Sequence, residues 1–391
     1  MSHLKATTDR WSKPSSDRVY NFLKPLVRFA LKRYYRHIGV SGQSNFPSSG
    51  AVIVISNHQN AMMDPLLISC FTPRPLVWMA RADVFHKKRL AWLLNALKMI
   101  PVYRSRDKVN LAEASARTQR ICVDKLNRGE AIALFPEGTH RPVRHLFPFK
   151  KGFARIVIEA VAHTDVYIVP VGLDYSNFFQ QQGVAHVRVG KPLLIKKGST
   201  PSLVQLIDEA HQALQSVMIH ADHQMDAAAF EEQRYTIAEQ HWQKANGVFT
   251  WDNELDHALA EASSWPVRKS TRPAQLHSPS FLRLCRKMSV PGLISFLLLI
   301  MSLPAGLWSM PVLAVCVWAA KTSVADPMFY SSIRFLAGWL LFPIAFLLTG
   351  LALLAFMPVW QTMLILAWLI LFQPVFWRIA PVWYQALRRQ G

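Results

Sequence analysis

The sequence predicts an α/β domain, with a mostly parallel or mixed sheet flanked by helices, followed by a C-terminal α-helical membrane region. Three observations carry that expectation. Short uncharged runs alternate with longer amphipathic stretches between residues 51 and 219, the pattern of strands and helices in turn. The run at 51–55 is rich in β-branched residues and has no polar position, which suits a strand buried on both faces of a parallel sheet. Two long stretches, 290–320 and 335–377, contain no charged residue at all.

Residues 1–17 are polar and show no apolar periodicity. From 18 to 36, Val19, Phe22, Leu23, Leu26, Val27, Ala30 and Leu31 recur at helical spacing, while Arg18, Lys24, Arg28, Lys32 and Arg36 occupy other positions. This predicts a basic amphipathic helix with two available placements: the headgroup region of a membrane, or the surface of the core with a solvated basic face. Residues 39–50 read as a turn-rich entry to the first strand at 51–55, and Pro65 sits at the start of a helix reaching Phe71. A strand at 76–80 comes next, then a helix at 84–97 with the basic cluster His86, Lys87, Lys88 and Arg89, then a strand at 99–103. The helix at 110–128 is closed by Gly129. Strands at 132–135, 168–173 and 186–190, with helices at 152–162 and 201–219, complete a sheet expected to hold about six or seven strands. Pro170 within a strand points to an edge, a bulge or a close approach to a substrate chain.

The expected division is an N-terminal tail and amphipathic membrane-surface helix over 1–45, an α/β domain over 46–225, a charged helical connector over 226–287, and a membrane region over 288–391. The stretch 335–377 is about twice the ~20 residues one span requires, and Met357-Pro358 breaks it near its middle, so it predicts a transmembrane hairpin. The stretch 290–320 is too long for one upright helix and too short for two spans, and Pro304, Gly306 and Pro311 interrupt it. Arg283, Arg286 and Lys287 precede it, Lys321 and Arg334 follow it, and Arg378, Arg388 and Arg389 lie near the end of the chain. If all these groups share one side, the first stretch turns back as a re-entrant or broken hairpin.

The formal net charge is +20, from 44 Lys and Arg against 24 Asp and Glu, and 51% of the residues are hydrophobic. Such a balance calls for an anionic partner, nucleic acid or an acidic membrane surface, and the adjoining apolar stretches select the membrane over nucleic acid. Cys70, Cys122, Cys285 and Cys316 are widely spaced, which predicts reduced, structural thiols. The scattered histidines at 220, 223, 241 and 257 form no metal-ligand pattern, so no metal is expected. The basic N-terminus has no apolar signal core behind it, which places the globular part in the cytoplasm.

Chemistry concentrates in two loops. After the strand at 51–55 come Ser56, Asn57 and His58, and, beyond five intervening residues, Asp64. A histidine held by an aspartate can take a proton from a hydroxyl, because the carboxylate fixes the tautomer and stabilises the imidazolium that forms. Taken alone, the pair fits better a capping or core histidine beside an ordinary first-turn acid. The second loop, Phe135-Pro136-Glu137-Gly138, follows another apolar strand and leads into Arg141, Arg144, Lys150, Lys151 and Arg155. Gly138 permits close backbone approach, with free amides to face an anion. Glu137 suits a polar role in substrate binding, through acceptor hydroxyls or a phosphate-binding arginine. Of the basic residues, Arg141 and Lys150 are expected to reach substrate, and the others to be solvated.

With the Arg104 strand end and the Val169-Pro170 strand, these loops resemble the glycerolipid acyltransferase family over residues 39–190. The resemblance implies that His58 and Asp64 are catalytic, that Arg104 binds the acceptor phosphate, and that Lys150 stands where the family often has a lysine. It departs in one respect: the commonest pattern has four residues between histidine and aspartate, and this chain has five. That spacing resembles a bacterial branch acting on glycerol-3-phosphate or dihydroxyacetone phosphate. The expected reaction is therefore transfer of a fatty acyl group to a hydroxyl of such an acceptor in phospholipid biosynthesis at the bacterial inner membrane. The donor would be acyl-CoA or acyl carrier protein, with no bound cofactor. The alternatives are lysophosphatidate as acceptor, or a non-catalytic lipid-binding or lipid-transfer protein, against which the intact His58 and Asp64 argue.

Overall fold

The computed structural model describes residues 17–35, 37–85, 94–103, 110–175, 178, 181, 183–221, 292–324 and 326–388. The basic cluster at 86–89, Arg104 and the connector at 226–287 fall outside them. The chain divides into two compact units, Met1–Phe178 with Gly183–Met218, and Phe179–Gln182 with Ile219–Gly391.

The first unit is built on an eight-stranded sheet in the order β1-β7-β6-β2-β5-β3-β4, with β8 also pairing β6. Its strands are β1 (His37–Ser41), β2 (Ala51–Ser56), β3 (Leu76–Arg81), β4 (Met99–Val102), β5 (Ala131–Leu134), β6 (Val166–Tyr175), β7 (Val184–Val189) and β8 (Leu193–Ile195). The five strands β6, β2, β5, β3 and β4 are mutually parallel, whereas β7 and β8 run antiparallel to β6 and β1 follows β7. Five parallel strands deliver their C-terminal ends to one edge of the sheet, where ligands of open α/β sheets bind.

All six residues of β2 are buried, as its β-branched sequence requires. Its alternate residues Ala51, Ile53 and Ile55 join a core with Ile132, Leu134, Val166 and Ile168. Three helices lie over that face: α3 (Leu111–Asn127), α4 (Gly152–Ala160) and α5 (Leu203–Gln215), contributing among others Leu126, Val157 and Leu214. Burying one such aliphatic side chain contributes roughly 1.5–3 kcal/mol. Two further helices are α1 (Asp17–Tyr34) and α2 (Met63–Phe71), which pack together; Tyr20 Oη donates to Ser69 O and Lys24 Nζ to Thr72 O. The opposite side of α1 leaves Phe22, Leu26 and Phe29 exposed, with the Arg33 guanidinium over the Phe29 ring.

Pro170 lies on an interior strand, opposite a bulge-like irregularity: two residues separate Ile168 from Val171 on β6, and three separate their partners Leu193 and Val189. It pairs with Ile55 of β2 on one side, and on the other it falls where the partner of β6 changes from β8, paired through Ile168, to β7, paired from Val171. The regular pairing is interrupted at that junction, where Pro170 O accepts Gly190 N–H at 2.8 Å, and such a break is where a proline fits inside a long strand. Gly172 is fixed by close approach, since a Cβ there would lie 1.9 Å from Val217 O.

Among its described residues the second unit holds three long helices, α6 (Gly292–Ser323), α7 (Tyr330–Leu354) and α8 (Val359–Arg388). Each contains a segment long and apolar enough to cross a membrane: Leu297–Ser323, Tyr330–Leu354 and Val359–Trp377. The break at Met357-Pro358 separates α7 from α8 as expected. The hairpin expected over 290–320 is corrected, because α6 is one continuous helix of 32 residues through Pro304 and Pro311. A turn in hydrocarbon would strand several backbone N–H and C=O groups at several kcal/mol each, whereas a proline removes a single donor. Gly306 lets α8 approach, since a Cβ there would meet the Phe376 ring at 2.2 Å. Trp377 Nε1 donates to Ser309 Oγ and Trp308 Nε1 to Thr349 Oγ1, the polar contacts that bind helices where apolar burial gives no preference over lipid.

Candidate active site

The end of β2 carries His58 and the start of α2 carries Asp64, and the loop between them folds back so that the two side chains meet. His58 Nδ1 lies 2.7 Å from Asp64 Oδ2. The same Oδ2 accepts the backbone N–H groups of Gln59 and Asn60, each at 2.8 Å, and Oδ1 accepts the Tyr175 hydroxyl. Asp64 is fully buried while the His58 side chain keeps 16% of its surface exposed. With Nδ1 engaged, Nε2 is the ring nitrogen left to face a substrate. The loop holds five residues between the pair by placing Ala61 at φ +38°, a left-handed conformation that costs a non-glycine residue about 1 kcal/mol or more.

The imidazole is held from behind by aromatic rings. It stacks on Phe135 with centroids 3.8 Å apart and planes 5° from parallel, and Phe135 stacks in turn on Trp78. His140 meets its edge at 5.2 Å. Such stacking fixes the ring plane and leaves the exposed edge to substrate.

The second loop is a tight turn after β5, closed by Gly138 N–H donating to Phe135 O, with Gly138 at φ +69°. Glu137 points inward rather than out. Its Oε1 accepts the His58 backbone N–H at 3.1 Å and its Oε2 the Phe147 backbone N–H at 3.0 Å. Burial pushes its carboxyl up to about 7 despite those two donors. In this position Glu137 joins the His58 loop to the 141–149 loop. Arg141 N–H donates to His58 O, its guanidinium lies 4.6 Å over the Phe147 ring, and its side chain is exposed. Lys150 N–H donates to Pro136 O, which sets the exposed Lys150 beside Gly138.

The fold thus gathers His58, Asp64, Glu137, Gly138, Arg141 and Lys150 around two loops at the C-terminal edge of the parallel strands. Arg104 lies outside the described residues, though β4 ends at that same edge. Arg144 departs from the solvated face expected of it: it is buried, ion-paired with Asp174, donates to Tyr175 O, and lies 4.9 Å over Phe178. Sequence reasoning also passes over Tyr175, and over Asn57, whose amide exchanges two hydrogen bonds with Leu173 of β6 at 2.9 and 2.8 Å. Adjacency to His58 is the only sequence signal for Asn57, and nothing local marks Tyr175.

Residues 37–174 match the Acyltransferase family, a span that contains both loops and all but the last residue of β6. These residues form an Acyltransferase-family domain. This domain is similar to 1-acyl-sn-glycerol-3-phosphate acyltransferases: the mouse alpha protein at 27% identity over 203 residues, the human alpha protein at 28% over 199, and the Pseudomonas aeruginosa protein at 24% over 180. These alignments cover 48%, 47% and 44% of this chain and 65%, 64% and 65% of the relatives, so the chain spans just under two thirds of their length. A similar solved structure is the Thermotoga maritima 1-acyl-sn-glycerophosphate acyltransferase PlsC, at TM-score 0.40 and 21% identity, covering 49% of this chain and 76% of that one.

Proposed function

We propose that this protein is a membrane acyltransferase that moves a fatty acyl group from a thioester to the free hydroxyl of lysophosphatidate. The observation that carries the reading is the His58–Asp64 contact inside an Acyltransferase-family domain, with the outer edge of the imidazole exposed. In this reading Asp64 holds Nδ1, and Nε2 takes the proton of the acceptor hydroxyl as its oxygen attacks the thioester carbonyl. The tetrahedral intermediate then collapses with cleavage of the C–S bond, and the imidazolium returns the proton to the departing thiolate. The acyl group passes directly between substrates.

Arg141 and Lys150, both exposed beside these loops, are the proposed ligands of the acceptor phosphate, with Arg104 at the end of β4 as a third. Gly138 would allow the phosphate close to the turn. Glu137 is proposed to act on substrate binding through the placement of Arg141 and His58, since both its oxygens accept backbone amides. The donor is acyl-CoA or acyl carrier protein, and no bound cofactor enters the reaction. The three apolar helices fit a chain that works at a membrane, with its catalytic unit on the cytoplasmic side of a bacterial inner membrane. The exposed Phe22, Leu26 and Phe29 of α1, flanked by basic residues, fit contact with lipid headgroups.

The names of the relatives favour lysophosphatidate over glycerol-3-phosphate. The five-residue spacing between His58 and Asp64 favours glycerol-3-phosphate or dihydroxyacetone phosphate as a second reading. Purified full-length protein assayed with one acyl-CoA and each acceptor in turn decides between them. Preferred acylation of lysophosphatidate supports the first reading, preferred acylation of glycerol-3-phosphate replaces it with the second, and no acylation of any acceptor overturns both.

A further inference from the structure

The environment of Asp64 is asymmetric. Oδ2 is shared among His58 Nδ1 and two backbone amides, and the other oxygen is held by one side chain from the far end of β6. Tyr175 is fully buried, its ring between those of Tyr35 at 6.1 Å and Phe178 at 6.0 Å. Its own position is fixed twice: by the Asn57–Leu173 pair, which ties β6 to the residue before His58, and by Arg144, which binds Tyr175 O and Asp174. A hydroxyl anchored in this way sets the rotation of the Asp64 carboxylate about its Cβ–Cγ bond.

We propose that Tyr175 is a positioning residue for acyl transfer, its hydroxyl holding Asp64 Oδ1 so that Oδ2 stays on Nδ1 and Nε2 faces the acceptor. This rests on the reading of His58 as the general base. Tyr175 remains a donor under working conditions, since burial, the negative charge of Asp64 and that of Asp174 hold its phenol well above the usual tyrosine range. The hydrogen bond also disperses part of the carboxylate charge. Without it, Asp64 is a stronger partner for the imidazolium that forms in the reaction, and the acidic limb of the rate profile moves to higher pH. The other ionisable groups around the cluster include His140 against the edge of the His58 ring, Arg141 on the same loop, Tyr35 and Glu137, both electrostatically coupled to Asp64, and the Arg144–Asp174 pair.

The test uses the full-length protein in detergent or liposomes, with acyl-CoA and lysophosphatidate or whichever acceptor proves active. Tyr175→Phe removes only the hydroxyl. The expected result is a kcat about 10-fold lower per folded enzyme, with little change in either KM, and an acidic limb of the kcat/KM profile displaced upward by about half a pH unit or more. A purely structural tyrosine would change yield and stability and leave that limb in place. Tyr35→Phe is the control: the hydroxyl of Tyr35 has no hydrogen-bond partner, and its removal should leave the limb unmoved. Should Tyr175→Phe not fold, 3-fluorotyrosine placed at position 175 keeps the ring and strengthens the donor, and the limb should then move downward. Folded Tyr175→Phe with wild-type kcat and pH profile, or a 3-fluorotyrosine protein with an unmoved limb, overturns the proposal. His58→Ala run alongside separates the two ideas: turnover surviving that change defeats the general-base reading itself, whereas its loss beside unaltered position-175 variants defeats only the role of Tyr175.

Discussion

Replacing Glu137 with glutamine changes one oxygen to an NH2 group and tests what this buried carboxylate does. In the structure, one oxygen accepts from His58 N–H and the other from Phe147 N–H, so glutamine can satisfy only one of them. The other N–H then faces a donor, and the two loops lose one of their ties. We expect kcat to fall about 10-fold, because a small displacement of a catalytic base is costly. The pH dependence of stability gives a sharper test. Burial is the largest influence on Glu137 and outweighs the two amides, taking its carboxyl from 4.5 to about 7. The folded protein therefore binds this proton more tightly than the unfolded chain, and the stability so gained is complete below the unfolded value and lost as pH rises through the folded one. The displacement corresponds to about 3 kcal/mol. Glutamine cannot titrate, so the stability of wild type relative to Glu137→Gln should fall by about that amount between about pH 4.5 and about pH 8. Urea unfolding of both proteins in detergent, followed by near-ultraviolet circular dichroism across that range, measures the difference. A wild-type advantage that grows with pH would show that the two amides outweigh burial and would refute the reasoning.

Arg144→Met leaves Asp174 buried without its cation and should cost about 3–5 kcal/mol in unfolding experiments, part of which Arg144→Met/Asp174→Asn recovers. Ala61→Gly should hold or raise stability, by up to about 1 kcal/mol in the same experiment, because Ala61 sits at φ +38°; a loss larger than that would contradict left-handed strain in the loop. If α6, α7 and α8 each cross the bilayer, single cysteines introduced at 324 and at 357 should label from opposite sides of sealed vesicles. Labelling of both from one side would mean that α7 does not span.

Much of this architecture is legible in the sequence, and the parts that are not share a cause. The strand read at 51–55 announces itself because every one of its residues is buried, so no polar position interrupts the run, and the structure extends it by Ser56. The contact between His58 and Asp64 is legible because both lie on one short loop. Tyr175 reaches the same carboxylate from 111 positions away, and only the parallel pairing of β6 with β2 makes that possible. The sequence points Glu137 at acceptor hydroxyls or a phosphate-binding arginine, and misses that its partners are backbone amides, which no residue code reveals. The strand β1 hides within a turn-rich stretch because it is an edge strand containing Gly39, where a Cβ would press on the His186 ring at 3.3 Å. The continuity of α6 escapes a reading based on Pro304 and Pro311, since that reading weighs prolines as water does.

The central claim is that His58 is the base that activates the acceptor hydroxyl, and the most direct measurement is the single-turnover rate of acyl transfer by His58→Ala. The variant should be folded and membrane-inserted, since the buried Asp64 carboxylate keeps the Gln59 and Asn60 amides and the Tyr175 hydroxyl when the imidazole is gone. Its rate with acyl-CoA and the preferred acceptor should be lower by about 10²- to 10⁴-fold, the usual loss when a general base is removed. A folded His58→Ala protein that transfers acyl groups at a rate close to wild type would contradict the account.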